Sequence, residues 1–311
     1  MTQIIKPTTT ETESADAKEA FLLISNAKLI EIYATMVRCR VIEERARQLF
    51  AQGKLRGDLS ASAGREASAA AIAGELQQED ALSVASGDLM PGIVKGVALE
   101  SVFRSISEGD IATADADGFR SLHVVLPLSV ATQIREVCEF ALTERAKKRG
   151  RIAVAFFAGE GASLERWQEA MSLAGEQELP IVFVRHGAHG GQKATTAKGR
   201  GESSALVNGI PAIAVDGSDA VALIRVACEA IARARQGRGA TLIECLILNE
   251  IEPTCAGKDR IYKDSGLVGE DPVLGMENYL NRKGLWNDEL KRNLVADMRK
   301  KLDVATRFLN D

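Results

Sequence analysis

The chain has 311 residues, a formal net charge of −4 and 46% hydrophobic residues, enough to bury a large core in one or two α/β units. That balance excludes a basic nucleic-acid-binding surface, and no apolar run approaches the ~20 residues of a membrane-crossing helix. Five scattered cysteines (Cys39, Cys138, Cys228, Cys245, Cys255) without CxxC spacing, and an N-terminus that does not read as a secretory signal, point to reduced thiols and a cytoplasmic protein.

Residues 1–20 are polar and acidic and are expected to form a flexible tail, with the main α/β unit at 21–270 and a helical extension of it at 271–311. Asn26 to Gln52 predicts one long amphipathic helix: Leu29, Ile32, Tyr33, Met36, Val37, Ile42, Ala46, Leu49 and Phe50 keep mostly helical spacing, and Gly53 stops it. Ser62 to Ala67 opens an alanine-rich helix through Leu76. A short strand at Ala81–Ala85, a helix at Lys95–Ile106 and a loop at Asp115–His123 follow. The next helix spans Pro127–Arg149, with Lys147, Lys148 and Arg149 at its negative end and Gly150 closing it.

The centre of the chain is the most regular. Ile152–Phe157 is an unbroken apolar run, as in a strand covered on both faces. Gly159-Glu160-Gly161-Ala162 turns the chain, Ser163 is placed to cap the following helix, and Leu179-Pro180 breaks it before a strand beginning at Ile181–Val184. Such a strand–helix–strand unit joins parallel strands, and its ligands sit beyond the carboxyl ends. Those ends are the Gly-Glu-Gly turn and a glycine-rich loop carrying His186 and His189. Strand Ala212–Val215, helix Ala220–Gln236, strand Thr241–Leu248 and helices opening at Asp271 and Asp288 complete an α/β fold, a parallel sheet flanked by helices.

Three local readings of the loop compete. His186 and His189, two of only three histidines, could hold a zinc-like metal with Glu160 as third ligand. Alternatively they are solvated loop side chains. Gly187, Gly190, Gly191, Gln192, Lys193, Thr195 and Thr196 are the ingredients of a phosphate loop, but its spacing fails because Gln192 is not glycine and Ala194 is not Ser or Thr.

Tyr33, Met36, Arg40, Glu43, Leu49, Phe50, Gly53 and Lys54 form a pattern that continues in Ser62-x-Gly64-Arg65-Glu66-Ala67 and Ser129–Ile134. The Gly159–Gly161 turn, Gly209-Ile210-Pro211 with Val215-Asp216-Gly217-Ser218-Asp219, Thr241–Glu244 and Asp271-Pro272-Val273 extend it. Together these resemble the α subunit of the E1 component of 2-oxo acid dehydrogenases (pyruvate, branched-chain or acetoin type) over residues 26–309. The resemblance implies the thiamine-diphosphate-binding fold, thiamine diphosphate and Mg²⁺ as cofactors, and assembly as a homo-oligomer or with an E1 β-type subunit. It also implies oxidative decarboxylation with acyl transfer to lipoamide. It carries the cofactor-facing positions onto Ser121, His123, Gly159, Glu160, Gly161 and Ala162, with His123 as the catalytic candidate and Glu160 as the metal ligand.

The chain departs from that family where the diphosphate is gripped. Arg65 replaces a glutamine, Gly87 stands at a phosphate-binding arginine, Leu89 at a histidine, and Gly187-Ala188 at the metal-binding Asn-Asn pair. The centre is one residue short around Glu165-Arg166-Trp167, and no histidine occurs in 249–259. Glycine offers no charge to a phosphate, and Mg²⁺ is strict about its oxygen ligands. The expectation is therefore an E1 α-like subunit degenerate in cofactor binding, non-catalytic or regulatory. The alternatives are an active subunit working through Glu160, and a protein that binds a different phosphate compound in the same cleft.

Overall fold

The computed structural model describes residues 24–56, 64–84, 88–108, 122–125, 129–157, 162–188, 205–247 and 271–309. At its centre is a seven-stranded sheet with order β2-β1-β3-β4-β7-β6-β5, built from β1 (Ala81–Ser83), β2 (Val124–Val125), β3 (Ala153–Phe157), β4 (Ile181–Ala188), β5 (Ala205–Val207), β6 (Ile210–Asp216) and β7 (Thr241–Ile247). All pairings are parallel except that of the edge strand β5 with β6.

Alternation along each strand divides the core in two. Val154 and Phe156 face one cluster with Leu82, Val182, Val184 and Ile243; Ala153, Ala155 and Phe157 face another with Ile181, Phe183 and Leu242. The first cluster is covered by α1 (Asn26–Ala51), the short buried α2 (Glu66–Ile72), α3 (Met90–Lys95) and α4 (Leu99–Glu108). The second is covered by α5 (Val130–Lys147) and α6 (Ala162–Glu176), whose Trp167 stacks on Phe157 at 4.5 Å. Helix α7 (Ala220–Arg235) belongs to the first face. Burial on both faces explains why the central strands read as continuous apolar runs rather than as alternation.

Side-chain caps set the helix starts: Ser25 on α1, Ser129 on α5 and Asp219 on α7 each accept a backbone N–H of the first turn. The C-terminal helices α8 (Pro272–Arg282) and α9 (Asp288–Ala305) are capped by Asp271 and Asn287. Val273, Met276, Leu280, Met298 and Leu302 from these helices lie in the same buried cluster as α1. The Tyr33 hydroxyl donates to Glu277 Oε1 (3.0 Å) and accepts from Trp286 Nε1 (2.9 Å), a polar lock on that contact.

At the amino edge of the sheet, Asp80 is fully buried. It accepts the Arg235 guanidinium at 2.9 and 2.5 Å and the backbone N–H groups of Gln77 and Ile152. A buried charge with every lone pair occupied is tolerated; the same charge alone is not.

Several expected boundaries move. Strand β4 runs four residues past Val184, because Arg185 to Ala188 pair with Glu244 to Ile247 of β7. The expected helix Lys95–Ile106 is two helices, since Gly96 at φ 117° ends α3. Ser163 is the second residue of α6, which begins at Ala162, and the left-handed cap of α5 is Lys148 rather than Gly150. The alanine-rich segment is helical only to Ile72 and tightens into a 3₁₀ turn at Ala73–Glu75. The β5–β6 hairpin turns at Asn208-Gly209, both at positive φ (50° and 81°), as a two-residue hairpin turn requires. No helix among the described residues is long and apolar enough to cross a membrane.

Candidate functional site

The carboxyl ends of β1, β3, β4 and β7 form the edge where ligands of a parallel sheet bind. Two buried side chains fix this edge. Gln133, on α5, donates through Nε2 to the carbonyls of Val84 (3.2 Å) and Phe156 (2.9 Å), so one amide ties the exits of β1 and β3. Ser68, on α2, reaches across to β4: its Oγ lies 2.8 Å from His186 Nε2 and donates to the Arg65 carbonyl at 2.9 Å.

The Arg65 carbonyl also accepts from Ala69 N at 3.1 Å, so the Ser68 hydroxyl serves either neighbour, and its bond to His186 forms with either tautomer of the ring. Burial pushes the His186 pKa well below the ordinary value and the nearby Arg65 charge adds to that, so the ring is neutral. Its ring packs against Phe156 at 5.8 Å. His186 is thus a strand residue facing the core. The expectation of a loop histidine paired with His189 on a metal is corrected at this residue; His189 lies outside the described residues.

A second cluster sits at the start of α2. Glu66 is buried and accepts from Arg40 Nε at 2.8 Å and from Gly64 N at 2.8 Å. Burial raises its pKa against the pull of Arg40. Arg40 also meets Asp271 at 2.5 Å. Burial opposes ionisation of Asp271, but Arg40 and the two capped amides outweigh it and hold that carboxyl below its usual range. One guanidinium therefore joins α1, α2 and the cap of α8. On the other face of β4, Arg185 pairs with Glu244 at 3.1 Å on β7. Burial raises the thiols of Cys39, Cys138, Cys228 and Cys245, the last to about 12, so none of them is a thiolate nucleophile.

The candidate residues separate. Ser121, Gly159, Glu160 and Gly161 lie outside the described residues, as does Cys255, and Ala162 opens α6. His123 is exposed at φ 52°, with its carbonyl accepting from Leu82 N and its ring edge-on to Phe140. The register sets it level with Ala81, Ala153 and Ile181, at the amino end of the sheet. Phe157 is four residues further along β3, on the order of 13 Å. Leu89, at the position given to a histidine, is a core side chain at 5% exposure.

Glu160, to which the resemblance gives the metal, lies outside the described residues. Gly187 and Ala188 end β4 without a side-chain oxygen, and no group of three metal-ligating side chains is found among the described residues. Among the described residues nothing lies within 4 Å of where a Cβ of Gly187 would be, so they do not demand glycine there. Two contacts were not read from the sequence, those of Gln133 and of Ser68 with His186. The second left a signal: His186 continues the every-other-residue face of Val182 and Val184.

A family model described as "Dehydrogenase E1 component" matches residues 33–310. The "Pyruvate dehydrogenase E1 component subunit alpha" of Staphylococcus epidermidis is 30% identical over 294 residues, covering 91% of this chain and 78% of that protein. The protein of the same name from Staphylococcus aureus is 31% identical over 293 residues, covering 90% and 77%.

Proposed function

The chain belongs to the dehydrogenase E1 component family, and on that premise we propose that it is an E1 α-type subunit of a 2-oxo acid dehydrogenase assembly with a degenerate cofactor cleft, acting as a non-catalytic or regulatory subunit. Family members use thiamine diphosphate and a divalent metal. What supports degeneracy is the end of β4: the resemblance sets Gly187 and Ala188, which have no side-chain oxygen, at the metal-ligand positions, and the adjacent His186 is bonded to Ser68 in the core. A diphosphate without its metal would leave about three negative charges in a partly dry cleft, at a cost of several kcal/mol.

The framework around this edge is well tied: Arg40, Glu66 and Asp271 hold α1, α2 and α8 together, and Gln133 ties β1 to β3. A subunit acting through assembly needs that framework and not the cofactor ligands. The partner is an E1 β-type subunit, and the site of action is the cytoplasm. Calorimetric titration of thiamine diphosphate with Mg²⁺ into the protein, alone and mixed with the β-type subunit, tests the reading. No saturable heat is expected at micromolar concentration. Metal-dependent micromolar binding in either arm would overturn it in favour of an active subunit working through Glu160.

A further inference from the structure

Positive charge gathers at the amino edge of the sheet, opposite the cofactor positions. Helices α5, α6 and α7 all end there and lead through short turns into β3, β4 and β7, and every residue of those three turns is described. Arg145, Lys147, Lys148, Arg149 and Arg151 surround the first turn, and Arg238 stands in the third. The two turns are neighbours: Arg235 donates to the Gly150 carbonyl at 3.1 Å, and β3 and β7 flank β4, so the strands that Arg151 and Arg238 precede run about 10 Å apart. Arg145 reaches Glu178 only at 3.6 Å and Arg149 reaches Glu144 only at 3.8 Å. Among the described residues no ion pair or side-chain hydrogen bond engages Lys147, Lys148, Arg151 or Arg238, and all but the half-buried Arg151 are exposed. Asp80 is taken by Arg235, and the exposed carboxylates Glu79 and Glu176 are outnumbered. The negative end of α5 accounts for Arg145 and Lys147 in its last turn, but Arg151 and Arg238 lie past their helices. Unpaired like charges repel one another, so stability does not explain the cluster in a chain of net charge −4.

We propose that this amino edge is a docking surface for an extended acidic segment of a partner protein. The chemistry of the edge selects that class. A small phosphate is best held by converging backbone N–H groups, whereas the three helices present their carbonyl ends here, so an anion meets only the tips of long side chains. Single-stranded nucleic acid needs aromatic side chains on which its bases stack, and residues 144–151, 177–180 and 236–240 contain none. An extended peptide rises about 3.3 Å per residue, so carboxylates three residues apart match the separation of the strands behind Arg151 and Arg238. The surface lies at the opposite edge from the cofactor positions, so its failure and that of the proposed function are separate results.

Titrating a fluorescein-labelled decaglutamate peptide with the full chain at neutral pH and low salt, followed by fluorescence anisotropy, tests this. Saturable binding that weakens as salt is added is expected. Arg151→Gln combined with Arg238→Gln is expected to weaken it about threefold to tenfold, the loss of two exposed charge contacts. Lys147→Gln, at an exposed position, should weaken it in the same direction and serves where the double variant is misfolded by circular dichroism. Removing the same charge from the exposed face of α9, by Arg299→Gln with Lys300→Gln, is expected to leave the affinity unchanged. No saturable binding, or an equal loss from the two double variants, would overturn the surface, the second because net charge alone would then set the affinity. Tighter binding of a labelled ten-nucleotide oligothymidylate than of decaglutamate would overturn the partner class. A gain of about tenfold or more on deleting residues 1–23 would make the chain's own acidic tail the occupant and overturn it likewise.

Discussion

The Ser68 hydroxyl lies 2.8 Å from His186 Nε2 and couples the first turn of α2 to the carboxyl end of β4. A neutral imidazole in that place makes stability depend on pH. The His186 pKa is depressed well below 6.5 in the folded chain. The unfolded chain therefore binds the proton first as pH falls. Stability is level above about pH 6.5 and declines below it by about 1.4 kcal/mol per pH unit, until the folded pKa is reached. Urea unfolding at a series of pH values should show that slope in the native protein. The difference between native protein and His186→Gln should account for it.

Asp80 is the heaviest single polar tie at the other edge of the sheet. Replacing it with asparagine leaves Arg235 facing a neutral group and weakens the bonds to the Gln77 and Ile152 amides. The expected loss is about 3–5 kcal/mol in unfolding free energy, read from the urea midpoint at unchanged slope.

Tyr33→Phe removes the hydroxyl that both donates to Glu277 and accepts from Trp286. A loss of about 1–3 kcal/mol is expected. Because Trp286 loses its acceptor, its fluorescence should shift in the folded variant, whereas that of Trp167, stacked on Phe157, should not.

Gly209 and Gly187 make opposite predictions from the same kind of residue. Gly209 sits at φ 81° in the β5–β6 turn, and Gly209→Ala should cost about 1–2 kcal/mol through backbone strain alone, since nothing crowds its Cβ position. Gly187 lies in a strand with open space, so Gly187→Ala should fall within about 0.5 kcal/mol of the native protein. Thermal unfolding of the two variants checks both.

The elements with a strong period or an unbroken apolar run were legible from sequence: α1 from its helical spacing, and β3 and β7 from continuous burial. Short elements were not. Val124–Val125 is too brief to show a period, and β5 hides behind a turn whose Asn-Gly pair is the usual hairpin signal. The length of β4 was missed because Arg185 and His186 end the apolar run while their backbones stay paired to β7. The site shows the same division. Glycine, leucine and alanine at the expected ligand positions could be read directly, because a missing functional group is a property of the residue. That Ser68 would meet His186 could not, because it depends on α2 packing across β4.

A crystal structure of the chain with an E1 β-type subunit, grown with thiamine diphosphate and Mg²⁺, tests the central claim most directly. The account predicts no coenzyme density at the ends of β3 and β4, with His186 still bonded to Ser68. Thiamine diphosphate seated against Glu160 with an ordered divalent ion would contradict it.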